Sequence, residues 1–150
     1  MNSLFAFLHH LAVFALVAAL AVELVLIAGP LTVPTARKLV LADLVFGVSA
    51  GIVLVVGLLR VFYFEKGAAF YFTNIPFLVK LALFALVGVA SIRPTKEFLS
   101  WRAAIKAGRT PAPAPEKMRQ LRGIIQIELA ALCVLILCAA LMARGVGSLA

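Results

Sequence analysis

Residues 3–28 read SLFAFLHHLAVFALVAALAVELVLIA, and the ionisable side chains in this run are His9, His10 and Glu23 alone. At ~1.5 Å rise per residue, such a helix is longer than the ~30 Å hydrocarbon core of a bilayer. Three further apolar runs follow, at 39–64, 75–92 and 124–143. With 65% hydrophobic residues, 13% charged residues and a mean hydropathy of +1.15, the chain has more apolar surface than a soluble domain of 150 residues can hide. The expected fold is all-α: a polytopic transmembrane four-helix bundle, with residues 1–150 forming one integral membrane domain. Met1-Asn2-Ser3 offers no positive n-region and the first run is too long for an h-region, so the first helix is expected to be retained rather than cleaved.

The net charge of +8 is concentrated. Arg93, Lys96, Arg102, Lys106, Arg109, Lys117, Arg119 and Arg122 share the 93–123 connection with Glu97 and Glu116. Beside transmembrane segments, a basic patch marks the cytoplasmic, anionic-lipid-facing side rather than nucleic acid. Arg37 and Lys38 in the 29–41 connection bring that side to ten basic residues, against Arg60, Lys66 and Arg144 on the other. The asymmetry predicts both termini outside. The partners it implies are the lipid bilayer and anionic lipid at the basic loop, with no nucleic acid. Within that loop, Thr95 reads as the cap of a short cytoplasmic helix with Phe98, Trp101 and Ile105 on one face, lying on the membrane interface. Pro111 to Pro115 then form a stiff spacer, and Glu116 suits the start of the last helix. At the opposite end Phe62, Tyr63, Phe64, Phe70, Tyr71, Phe72 and Phe77 read as an interfacial aromatic belt. Cys133 and Cys138, five apart on one helix, turn to different sides, which argues against a disulfide, and both read as buried small apolar side chains.

Ionisable groups inside lipid cost roughly 2.5–3.5 kcal/mol each on insertion scales, so they are usually paired, hydrated or functional. At 100° per residue, His9 and Glu23 lie about 40° apart on the first helix, whereas His10 is displaced about 140° from Glu23. If Glu23 faces the interior, His9 does too. On the second helix Asp43, Gly47, Ala50, Leu54 and Gly57 are read as one stripe, with Asp43 near Arg37 and Lys38 for neutralisation. Gly47 and Gly51 form a small-xxx-small element suited to close packing or to a homodimer. Asn74 reads as the cap of the third helix, with Pro76 in its first turn.

Depth sorts the remaining polar groups. Glu23, Asp43, Gln126 and Glu128 belong to the inner end, where nearby Arg and Lys could satisfy them. His9, Arg60 and Lys80, with Tyr63 and Tyr71, belong to the outer end. That outer set is donors and cations, which suits an anionic ligand. Haem b fits it: His9 is the candidate metal ligand, and Arg60 and Lys80 would hold the propionates. With His9 and His10 as the only histidines, one chain cannot form a bis-histidine centre. No zinc, copper, phosphate-loop or nucleophile motif accompanies them, so a haem-dependent oxidoreductase is the one enzymatic reading left.

The segments Leu8-His9, Glu23-Leu24-Val25-Leu26, Arg37-Lys38-Leu39, Ala42-Asp43 and Gly57-Leu58-Leu59-Arg60-Val61-Phe62 resemble a bacterial family of predicted four-helix membrane proteins without assigned function, domain-of-unknown-function family 2214. The pattern continues through Lys66-Gly67, Tyr71, Asn74, Phe77, Lys80 and Ser91-Ile92-Arg93-Pro94-Thr95 to Trp101-Arg102. The resemblance implies a multi-pass protein of the bacterial inner membrane, with the family's histidine position at His9. The chain is more distantly similar to the membrane-bound protoporphyrinogen oxidases and the copper-resistance D-type membrane proteins, which implies a haem or porphyrin role for His9 and Lys80. It is shorter than those and lacks their additional histidines. Two other functions remain open: a small proton-coupled transporter with Glu23, Asp43, Lys80 and Glu128 along a polar path, and a non-catalytic membrane subunit.

Overall fold

The computed structural model describes residues 2–64 and 71–144. Helix α1 spans Asn2–Ala28, α2 Val33–Leu59, α3 Ile75–Ser100, α4 Arg102–Lys106 and α5 Pro115–Ala143, and one π-helical turn at Arg60–Phe64 continues α2. The architecture is all-α, as expected, and the four long helices are each apolar enough to cross a membrane. Only 17–33% of the most apolar window of each is buried within the protein. The outward majority is itself apolar, with Phe14, Val25 and Val89 all about 70% exposed. Hydrocarbon is the solvent that such a surface requires.

Around the bundle, α1 lies along α2 and α3 along α5, and the two pairs close through α1–α5 and α2–α3 contacts. Start signals fix the helix ends. Thr32 caps α2, its Oγ1 accepting from Thr35 N at 3.2 Å, and Pro34 occupies the first turn. Asn74 caps α3 in the same way, its Oδ1 accepting from Phe77 N at 3.1 Å, with Pro76 in the first turn.

Three helices overrun the apolar stretches read from the sequence. α2 begins at Val33 rather than 39, α3 continues to Ser100, and α5 starts at Pro115 rather than 124. Hydropathy marks where lipid ends, not where hydrogen bonding ends, and these extra turns carry the basic residues out of the hydrocarbon. The basic connection is therefore mostly helix, with residues 107–114 left as the link.

Thr95 is not a cap. It lies inside α3 one residue after Pro94, which is itself buried within the helix. The Phe98, Trp101 and Ile105 face is not laid on lipid either. These side chains are 0%, 4% and 8% exposed and join Ala36, Leu39, Leu121 and Ile125 in the main core. Together with α4, which packs on α2, they close the basic end of the bundle. A polar clasp reinforces this closure: Trp101 Nε1 donates to Glu97 Oε1 at 3.1 Å, and Lys117 Nζ pairs with Glu97 Oε2 at 2.7 Å, joining α3 to α5. Truncating the buried Phe98 to Ala should cost about 3–5 kcal/mol of stability. The unfolding midpoint of the detergent-solubilised protein measures it; a change below about 1 kcal/mol would show that this end is open to lipid or water.

Candidate functional site

One face of α1 organises the interior. Ala12, Leu16, Ala19, Leu20, Glu23 and Ile27 are buried at the three- and four-residue spacing of a helical stripe. His9 continues the stripe toward the aromatic end and is partly buried, while His10 is exposed and donates Nδ1–H to its own helix at Ala6 O. The two adjacent histidines thus occupy different environments.

At the basic end the stripe delivers Glu23, 1% exposed, to a cluster of carboxyl groups. Asp43 of α2 is 7% exposed and Glu128 of α5 is 1% exposed, and the three are close enough for their charges to interact. Asp43 is satisfied by α3, since Thr95 Oγ1 donates to Asp43 Oδ1 at 2.7 Å. All four long helices therefore contribute to one polar locus. Glu23 Oε1 and Glu128 Oε1 are buried without a hydrogen-bond partner. Among the described residues no lysine or arginine forms an ion pair with these carboxylates. Arg37 and Lys38, expected to neutralise Asp43, are exposed. Gln126, expected among the buried polar groups, is exposed as well: two residues before Glu128, it is carried about 200° around the helix. The carboxyl groups are not arranged as a metal site, since no cluster of three or more His, Cys, Asp or Glu side chains among the described residues could hold a metal ion.

At the aromatic end His9 sits against α2. A Cβ on Gly57 would lie 3.3 Å from His9 Cε1, so the glycine is what lets the imidazole pack there. Arg60 and Lys80 are near enough to act on the ring electrostatically, and His9 Nδ1 is buried without a hydrogen-bond partner. Lys80 Nζ also lies 5.9 Å from the centroid of Phe77, and Tyr71 is buried beside Phe77 and Val61 in a small separate core. Tyr63, in contrast, is 77% exposed and turns away from this group. Asn74 adds a feature the sequence did not announce: a second amide atom, Nδ2, buried and unpartnered. Phe70 and Lys66, and the side chain of Phe64, lie outside the described residues.

His9 and Glu23 are fourteen positions apart on one helix, about 21 Å along its axis. The space between them is apolar. It includes a void of about 20 Å³ lined by Val13, Leu16, Val17, Val53, Phe84, Leu132, Leu135 and Ile136. That is room for about one water, but no polar group in the lining would hold it.

The packing of four long apolar helices, with polar groups turned inward, defines an integral membrane protein of the four-helix-bundle class. The chain belongs to the predicted membrane protein family DUF2214, a family of unknown function, whose match covers residues 1–147. Comparison with curated proteins and with solved structures finds no match.

The Gly57–His9 contact generates a test. Gly57→Val should destabilise the protein by about 1–3 kcal/mol through overpacking against the imidazole. The same substitution in a His9→Ala background should cost little. Thermal midpoints of the four proteins form the double-mutant cycle, and additive effects would mean that the ring does not occupy this position.

Proposed function

We propose that this protein is a small proton-coupled membrane carrier in which Glu23, Asp43 and Glu128 form the proton-exchanging site. The observation that carries this reading is the meeting of three buried carboxyl groups from three helices, two of them with an unpartnered oxygen. A carboxylate in that setting must take up a proton or a cation, because leaving it charged and alone costs several kcal/mol. A group that holds a proton in one arrangement of the helices and releases it in another is the working part of a proton-coupled cycle. The apolar segment between this site and the aromatic end keeps the bundle from leaking. In this reading the basic end faces the cytoplasm of a bacterial inner membrane, both termini face outward, and anionic lipid lies against the basic residues.

Four helices are few for alternating access, and a pair of chains would supply eight. Gly47 and Gly51 suit such a homodimer because both are exposed and a Cβ on either would meet nothing within 4 Å. Charge displacement by proteoliposomes on a solid support, after a jump in pH, tests the carrier without knowledge of its substrate. Wild-type protein should give transient currents that fall at least about tenfold in Glu23→Gln and Glu128→Gln, as expected when a general proton-transfer group is removed. Currents no larger than those of empty liposomes would reject the proposal.

A second reading is a haem-type or other anionic ligand at His9, favoured by the partnerless Nδ1 and by the fields of Arg60 and Lys80. Room is what it lacks: α1 and α2 are close-packed at Gly57, and the interior void of about 20 Å³ does not include His9 in its lining. The visible spectrum of protein purified from haem-replete cells decides the matter. A Soret band abolished by His9→Ala would establish this reading, and a colourless preparation would remove it.

A further inference from the structure

A surface groove of about 550 Å³ runs between α3 and α5, lined by Ala85, Leu86, Val89, Ala90, Arg93 and Ile124. Two alanines leave it concave where longer side chains would fill it. Residues 85 to 93 rise about 12 Å along the helix, most of one leaflet of a ~30 Å hydrocarbon core. The groove is therefore an apolar channel that runs along the helices and ends at Arg93.

That end is chemically distinct. Arg93 is exposed, and among the described residues no carboxylate pairs with it. Lys96 is also exposed and lies one turn further on, near the same edge of α3. Pro94 has no N–H, so the carbonyl of Ala90, itself in the groove lining, lacks its usual helical donor. An apolar channel, a carbonyl without its donor and then two cations thus follow one another along α3 toward its basic end. An apolar channel that ends in cations is the order a phospholipid needs: an acyl chain, then a phosphate.

We infer that the α3–α5 groove binds one anionic phospholipid, with an acyl chain along Ala85, Leu86, Val89, Ala90 and Ile124 and the phosphate on Arg93 and Lys96. The guanidinium gives the phosphate directed hydrogen bonds, and the ammonium adds charge. Charge complementarity argues for lipid over a second protein copy, because a helix seated in the groove would leave Arg93 buried against hydrocarbon without an acid. The groove belongs to α3 and α5 and the glycine face to α2, so lipid binding here is compatible with pairing there.

Native mass spectrometry of the full chain, extracted from its membrane in mild detergent and then exchanged against mixed phosphatidylglycerol and phosphatidylcholine, tests the site. Wild-type protein should retain one phospholipid, enriched for the anionic class by about tenfold over the mixture offered. Arg93→Gln with Lys96→Gln should bring that ratio to the mixture's own value. Ala90→Phe, which fills the groove and spares the cations, should abolish retention. If Ala90→Phe does not fold, the charge variant alone decides, since both of its positions are exposed. The inference is overturned by wild-type protein without a lipid adduct, by unchanged selectivity in the charge variant, or by lipid-free dimers. It is equally overturned if inorganic phosphate alone occupies Arg93 and displaces the lipid.

Discussion

Hydrocarbon neither donates nor accepts hydrogen bonds, so every polar group carried into it must find its partner within the protein or in something the protein holds. In this chain the constraint acts most strongly on α1. The helix has one acid in its transmembrane run, and placing Glu23 inward fixes the rotation of the whole helix. Leu16 and Leu20 then enter the core, His9 turns toward α2, and Phe14 and Val25 face lipid. Asp43 and Glu128 impose the same choice on α2 and α5, and Thr95 brings α3 to the same locus through its hydrogen bond to Asp43. The rotational setting of four helices is thus decided largely by a few polar atoms near one end.

Much of this was legible because helical geometry converts spacing into direction. Fourteen residues return His9 to the face of Glu23, and one residue removes His10 from it. The same arithmetic, applied to Gln126 once Glu128 is placed inside, puts the amide outside. Grouping the two by depth alone obscured this. On α2 the buried positions are Ala36, Leu39, Ala42, Asp43, Phe46, Ser49 and Val56, so Gly47 lies off the stripe on which the sequence reading put it. In an almost uniformly apolar helix, nothing in hydropathy distinguishes the inward face from the lipid-facing one. The rotation has to be taken from the polar residues, and Ser49 was the one overlooked.

The basic end was harder to read for a different reason. Pro94 followed by Thr95 resembles the start of a helix, and the charges beyond it resemble a loop. Proline is tolerated there because α3 has already crossed most of the bundle and Phe98 and Trp101 anchor the continuing turns in the core. Tertiary packing overrode a local signal, and residue periodicity across 93–105 could not reveal whether protein or lipid would cover the apolar face. The contact between His9 and Gly57 was similarly hidden. A glycine on a helix is consistent with close approach of a neighbour, but which neighbour approaches depends on how α1 and α2 are aligned along their length.

The chain itself supplies a comparison bearing on what the buried acids are for. Where it uses a carboxylate to fasten helices, it completes the interaction: Glu97 accepts from Trp101 and pairs with Lys117, both of its oxygens engaged. Glu23 and Glu128 are more deeply buried than Glu97 and yet keep Oε1 atoms with no partner. Ten basic residues lie toward the same end of the bundle, so cations were available to be turned inward, and replacing either acid by Leu would have removed the burden altogether. As a fastening the arrangement is incomplete, because an unsatisfied carboxyl lowers stability without adding a contact. A site that binds and releases protons needs that incompleteness, since a carboxylate held by a fixed cation would have little tendency to take one up.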